Sequence, residues 1–359
     1  MKLTERESIQ LRKNQEDRNM KLQRGINLGG YLSQCEHTTE HYDTFLQEED
    51  ISKIAAMGFD HVRLAIDYEV LEDEYGRTKE EGFAYVTRAV EWCKRNGLNI
   101  VLDLHKAYGY DFNNAGDKEK NTLFTNKLVQ KRFIDLWIKI AEHYANETNV
   151  AFELLNEVVE QENAESWNRL IAETVDAIRR IARDTIIIYG GIQWNSVKTL
   201  KLLEKPKDEN ILFTFHFYEP LLFTHQKAHW VPTISQTEDI YYPEEMEYYR
   251  TKSLPIGYQG EVVCKAQSKT MGTEFITEMV MEAITAAKNA GVSLYCGEFG
   301  VIDQAPIEDT FRWFRDVDAV FREFGIGCAV WTYKEMDFGL IGAHYAPIRE
   351  QLLKLWNQK

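Results

Sequence analysis

The sequence predicts a single (β/α)8 barrel. Three observations carry that expectation. Short apolar, β-branched runs alternate with amphipathic helical runs eight times over. Glycines 58, 97, 291 and 325 stand where helices must stop. The runner-up, a doubly wound sheet, often carries a glycine-rich phosphate turn, and neither G-x-G-x-x-G nor G-x-x-x-x-G-K occurs. The length, 359 residues, suits an α/β barrel with insertions.

The elements read in order as follows. A first strand over 24–28 precedes a helix over 48–57, and a strand over 61–66 precedes a helix over 80–96. The third and fourth strands, 99–105 and 150–156, are followed by helices over 127–145 and 164–182. A fifth strand over 185–189 leads to a short helix over 197–203. The sixth strand, 211–218, reaches its helix, 273–289, only after a long detour. Strands over 292–297 and 326–332 and helices over 307–324 and 345–356 complete the set. The detour, 219–272, is rich in Tyr and Glu and contains Pro220, Pro232, Pro243 and Pro255. It reads as an inserted βα loop at the cleft, because no strong periodicity supports a core of its own. Residues 1–23 read as an N-terminal extension and 24–359 as the (β/α)8 barrel.

Composition narrows the function classes. A net charge of −15 argues against phosphate backbones and anionic membranes as partners and leaves neutral substrates open. Cys35, Cys93, Cys264, Cys296 and Cys328 are odd in number and lack C-x-x-C spacing, as expected of buried thiols in a reducing compartment. Residues 1–24 are charged throughout with no apolar h-region, so a cytoplasmic location is expected, or secretion if a signal was removed. The longest apolar stretch, 185–192, is far short of a membrane span.

In a barrel, active groups come from the C-terminal ends of strands. Here those ends carry Arg63, His105, Asn156, Glu157, His216, Tyr218, Glu298 and Trp331, residues that a packed core would not choose. Two of them are glutamates. Cleaving a glycosidic bond needs one carboxyl to protonate the leaving oxygen and a second to attack C1 or activate water. Arg63 and Tyr218 are expected to hold Glu298 ionised and oriented, because opposite charge and hydrogen bonds favour the carboxylate. Arg63 has a second use as the partner of Glu153 inside the barrel. The Asn156 amide suits a sugar hydroxyl, and Trp331 suits a pyranose face. Trp194, after the fifth strand, is a further stacking candidate.

Val150-Ala-Phe-Glu-Leu-Leu-Asn156-Glu157-Val-Val resembles the signature of glycoside hydrolase family 5, the cellulase A family. Gly297-Glu298-Phe299-Gly300 resembles that family's nucleophile segment, and Val62-Arg63-Leu64, Asp103-Leu104-His105, His216-Phe217-Tyr218 and Trp331 fall in the family's order. The opening Arg24-Gly25-Ile26-Asn27-Leu28-Gly29-Gly30-Tyr31 is similar to an exo-β-glucanase-like branch, from which the chain departs at Leu32-Ser33-Gln34-Cys35-Glu36-His37. The resemblance implies a retaining, cofactor-free hydrolase of β-linked glucans or gluco-oligosaccharides, with cellulase-like endo-β-1,4 action the commonest in the family. Exo-acting β-glucosidase or β-1,3-glucanase action and β-mannanase action are the near alternatives. By the same resemblance Glu157 is the acid/base and Glu298 the nucleophile, with Arg63, His105, Asn156, His216, Tyr218 and Trp331 lining the −1 subsite. Their carboxyls should then stand about 5–5.5 Å apart. The charge of Glu298 is expected to raise the pKa of Glu157.

One motif points elsewhere. His37-Thr-Thr-Glu40-His41 matches H-x-x-E-H, which on a helix would place both histidines on one face for zinc, as in a peptidase. The other use of Glu36, His37 and His41 is as sugar contacts at a minus subsite.

Overall fold

The computed structural model describes residues 20–358. Eight parallel strands close in sequence order: β1 (Arg24–Asn27), β2 (His61–Asp67), β3 (Asn99–Lys106), β4 (Val150–Glu153), β5 (Ile187–Gly190), β6 (Ile211–Phe217), β7 (Ser293–Phe299) and β8 (Gly327–Val330). β1 pairs with both β2 and β8, so the sheet has no free edge. The expected helices are present, with two differences. The segment after β5 is a 3-10 helix, Val197–Leu202, and the last helix begins at Arg349, because backbone turns rather than helical bonds join Tyr345 to Ile348. The extension over 1–19 lies outside the described residues.

Strand periodicity sorts the side chains into two cores. Val62, Leu64, Ile100, Leu102, Leu104, Phe152, Phe213, Phe215 and Phe217 face the helices in one large cluster. The alternate residues face the barrel axis, where Leu22, Val101, Ala151, Ile188, Leu212, Tyr295 and Ala329 fill the N-terminal end. The same parity carries Arg63, Asp103, Glu153 and Thr214 into the axis one layer higher, and His105 and His216 above them.

Glu298 would miss the axis by parity, since Tyr295 and Gly297 already face it. The pairing slips where Phe215 opposes Cys296 but His216 opposes Glu298, and this bulge turns Glu298 inward as well. Asn27 Nδ2 holds the bulge through the Gly297 carbonyl at 2.9 Å.

The 219–272 segment is more ordered than its sequence pattern suggests. It contains short helices at Leu221–Thr224, Met246–Ser253 and Tyr258–Cys264. Its apolar residues pack into the cluster outside the barrel rather than into a core of their own. Tyr242 anchors it, its N–H bound to Asp309 and its hydroxyl to Asp316, both at 3.1 Å. Short helices steadied by a neighbouring body leave little periodic signal. All five cysteines are free thiols. Among the described residues no helix is long and apolar enough to cross a membrane.

Gly25 shows how tightly the lower barrel is filled. A Cβ there would lie 2.1 Å from His61 Nε2, and the ring cannot yield because Asp60 and Tyr295 hold it at 2.6 and 2.8 Å. Gly25→Ala should therefore lower stability by about 1–3 kcal/mol. The readout is a lower urea midpoint at unchanged m-value.

Candidate active site

The site is built on one buried cation. Arg63 is fully buried and every arm of its guanidinium is used. Nε and Nη2 grip Glu153 at 2.7 and 2.9 Å, Nη1 donates to Asn27 and Glu298 at 2.9 and 2.7 Å, and Nη2 reaches Asn156 at 2.8 Å. Asp103 lies 3.1 Å from Nη2. Burial alone would favour the neutral base, but Asp103, Glu153 and Glu298 outweigh it and hold the guanidinium charged. Arg63 thus contacts both of the carboxyls expected of it, Glu153 and Glu298.

Glu298 and Glu157 face each other across the mouth of the barrel. Oxygens of the two carboxyls and a ring nitrogen of His216 lie within 4.8 Å of one another. Glu298 takes Arg63 on one oxygen and the Tyr218 hydroxyl on the other, at 2.9 Å. Among the described residues Glu157 has no cationic partner and accepts only from His216, at 2.7 Å. Burial pushes the Glu157 pKa up to about 7, with Asp103 adding to the rise and His105 and Arg63 opposing it. The expected cause was the charge of Glu298; loss of water raises the pKa instead, and the only carboxylate that adds to it is Asp103.

His216 is pinned between the carboxyls. Asn195 Nδ2 donates to the Asn156 carbonyl and lies 3.4 Å from His216 Nε2. An amide N–H facing Nε2 leaves the ring proton on Nδ1, which points at Glu157 and lies 3.5 Å from Glu298. Burial pushes the His216 pKa down to about 4, so the ring is neutral at ordinary pH. Asn195 reaches this position through three consecutive left-handed residues, Gln193, Trp194 and Asn195, with φ of 53°, 57° and 52°. The same turn sends Trp194 into the cleft.

On the opposite side, His105 donates to Asp103 at 2.6 Å and stacks on Trp331, with centroids 5.7 Å apart and planes at 6°. Burial would lower the His105 pKa; the charge and hydrogen bond of Asp103 more than reverse this. The cleft above these groups has a volume of about 710 Å³. His105, Asn156, Glu157, Trp194, His216, Tyr218, Glu298 and Trp331 all line it, and Arg63 lies beneath. The 219–272 segment supplies one wall, including Trp230, Val231 and Tyr258.

Two expectations fail. Glu36 and His37 do not line the cleft; Gln34 from the same loop does, 3.3 Å from His105 Nε2. The zinc reading fails because the helix starts at Thr39, so His37 precedes the capping Thr38 and shares no helical face with His41. His41 Nε2 is turned to the Gly30 carbonyl at 2.7 Å. His37 instead joins Asp67 and Glu69, with ligand atoms within 4.8 Å of one another. Burial would raise the Asp67 pKa, but hydrogen bonds from His37 and Ser33 and the Lys106 charge hold it at about 2. The Lys106 ammonium, 3.3 Å from Asp67, already supplies the cation there. In the Glu157–His216–Glu298 group, a proton on Nδ1 occupies the lone-pair direction that a metal would need.

Sequence reasoning missed Asn27, Asp103, Gln34 and Asn195 as site residues. Asp103 had a signal, two residues before His105 and therefore on the same strand face. Asn195 had none, because its position depends on the left-handed turn.

The sequence model described as cellulase (glycosyl hydrolase family 5) matches residues 23–337. Endoglucanase C of Acetivibrio thermocellus is 40% identical over 346 residues, covering 92% of this chain and 96% of that protein. Cellodextrinase A of Ruminococcus flavefaciens is 38% identical over 315 residues, 86% of each chain. The solved structure of endoglucanase Cel5A from Thermotoga maritima shares the fold, with a TM-score of 0.72 at 23% identity over 98% of this chain and 99% of that one. A match spanning almost the whole barrel, with relatives this similar over most of their length, places the chain among its kin: it belongs to the cellulases of glycosyl hydrolase family 5.

Proposed function

We propose that the protein is a retaining endo-β-1,4-glucanase acting on β-linked glucans or gluco-oligosaccharides through two glutamates. The observation that carries this reading is the pair Glu157 and Glu298, with oxygens within 4.8 Å but in opposite environments. That gap belongs to the short class of carboxyl separations, which leaves no room for an attacking water. The similarity to an endoglucanase and a cellodextrinase supports the substrate class.

The roles follow from the surroundings. Glu298, held by Arg63 and Tyr218, is the nucleophile that attacks C1. Glu157, with its pKa near 7, is protonated in acid and gives that proton to the leaving oxygen. His216 donates to Oε1 of Glu157, leaving the other oxygen to carry the transferable proton. The glycosyl-enzyme formed on Glu298 has the α configuration. Glu157, now a carboxylate, takes a proton from water, which attacks C1 and restores the β configuration. Trp331, His105, Asn156, His216 and Tyr218 hold the sugar that is attacked, and Trp194 and Trp230 offer stacking faces on the leaving side.

Glu298→Ala should abolish turnover of every substrate. Glu157→Ala should spare part of the activity on aryl cellobiosides with very good leaving groups, and azide should rescue it as the β-glycosyl azide; equal loss on activated and natural substrates would exclude the acid role. Activity on natural glucans should fall as pH rises through about 7, where Glu157 loses its proton. Proton NMR of the first product should show the β-anomer, and an initial α-anomer would mean inversion. Product profiles on cellotetraose, laminarin and mannan test linkage and endo action.

A further inference from the structure

Two further carboxyls, Glu219 and Asp337, line the cleft, and the two-glutamate reaction has no use for either. Glu219 directly follows Tyr218 and lines the cleft. It accepts from the Tyr218 N–H at 3.0 Å, and among the described residues no side chain donates to it. Its backbone is fixed from both sides: Trp313 Nε1 donates to the Glu219 carbonyl at 3.0 Å, and the Thr224 hydroxyl donates to the Tyr218 carbonyl. A carboxyl this firmly presented, half-buried and facing the cleft, keeps hydrogen-bonding capacity free for a group bound there.

Its place on the rim says which sugar it meets. Trp331 and His105 stack on the side of β8 and β3, whereas Glu219 leaves β6 beside Trp194, Ser196 and Tyr258. In the reading above the leaving oxygen meets Glu157, just past β4, so the leaving-group sugar lies toward β5 and β6, away from Trp331 and His105. We infer that Glu219 binds hydroxyl groups of the leaving-group sugar, and so sets the preference for a saccharide over a simple leaving group. This rests on the glucanase reading above. Burial pushes its pKa up to about 7, so in mild acid the carboxyl both donates and accepts, as paired sugar hydroxyls require.

The test uses two substrates on the full chain, cellotetraose and β-cellobiosyl fluoride. Fluoride departs without placing a sugar on the β5 and β6 side. Glu219→Ala should lower kcat/KM on cellotetraose by about tenfold or more while changing it on the fluoride by no more than about twofold. Glu219→Gln keeps the shape and hydrogen-bonding capacity and should recover part of the loss. Equal losses on both substrates in both variants would mean that Glu219 merely supports Tyr218, and would overturn the inference. Unchanged activity on cellotetraose would overturn it too. Wild-type protein that turns over neither substrate would refute the glucanase reading itself.

Discussion

Everything at the mouth of this barrel depends on the burial of Arg63. Stripping a guanidinium of water costs on the order of several kcal/mol, and the cost is offset only when every donor finds an acceptor. Here the acceptors come from β1, β4, β7 and the chain just past β4: Asn27, Glu153, Glu298 and Asn156. One side chain thereby fixes four segments relative to each other. A planar, bidentate head is needed for this, which a lysine would not supply. Asp103, 3.1 Å away, joins Arg63 to His105, and His105 to the face of Trp331.

From that anchor the two glutamates acquire different characters without differing in chemistry. Glu298 receives a cation and a phenol; Glu157 receives one neutral imidazole and loses its water. The imidazole stays neutral because it too is buried, and its proton stays on Nδ1 because Asn195 faces Nε2. The cleft is therefore asymmetric before any substrate arrives, with a carboxyl gripped by Arg63 and Tyr218 at β7 and a carboxyl of raised pKa just past β4. The proposed acid-assisted displacement needs two carboxyls in environments as different as these.

The 219–272 segment adds extent to this centre. It has no core apart from the barrel's own helix layer, and its anchors, Tyr242 on Asp309 and Asp316, tie it to the helix at Ile307–Phe324 that follows β7. A wall fixed to the scaffold presents Trp230 and Tyr258 with little freedom to lose on binding.

The sequence by itself determined the barrel and most of the site. Eight β-branched runs each followed by an amphipathic run leave few other ways to bury both faces of the strands, and the order of polar strand ends, from Arg63 to Trp331, was legible because strand ends share one rim. The family resemblance also marked Glu157 and Glu298. Their surroundings were set by the fold alone. Glu298 faces the axis because a bulge between β6 and β7 breaks strand parity, and a bulge leaves no pattern in the residues themselves. Asn195 reaches His216 through a left-handed turn, and Gln34 rather than Glu36 or His37 enters the cleft because Asp67 captures His37 and the Gln34 N–H. The zinc-like spacing of His37 and His41 dissolved when the helix began two residues too late. The cause of the raised Glu157 pKa was also invisible: charges are written in a sequence, but burial exists only once the chain has closed around the site.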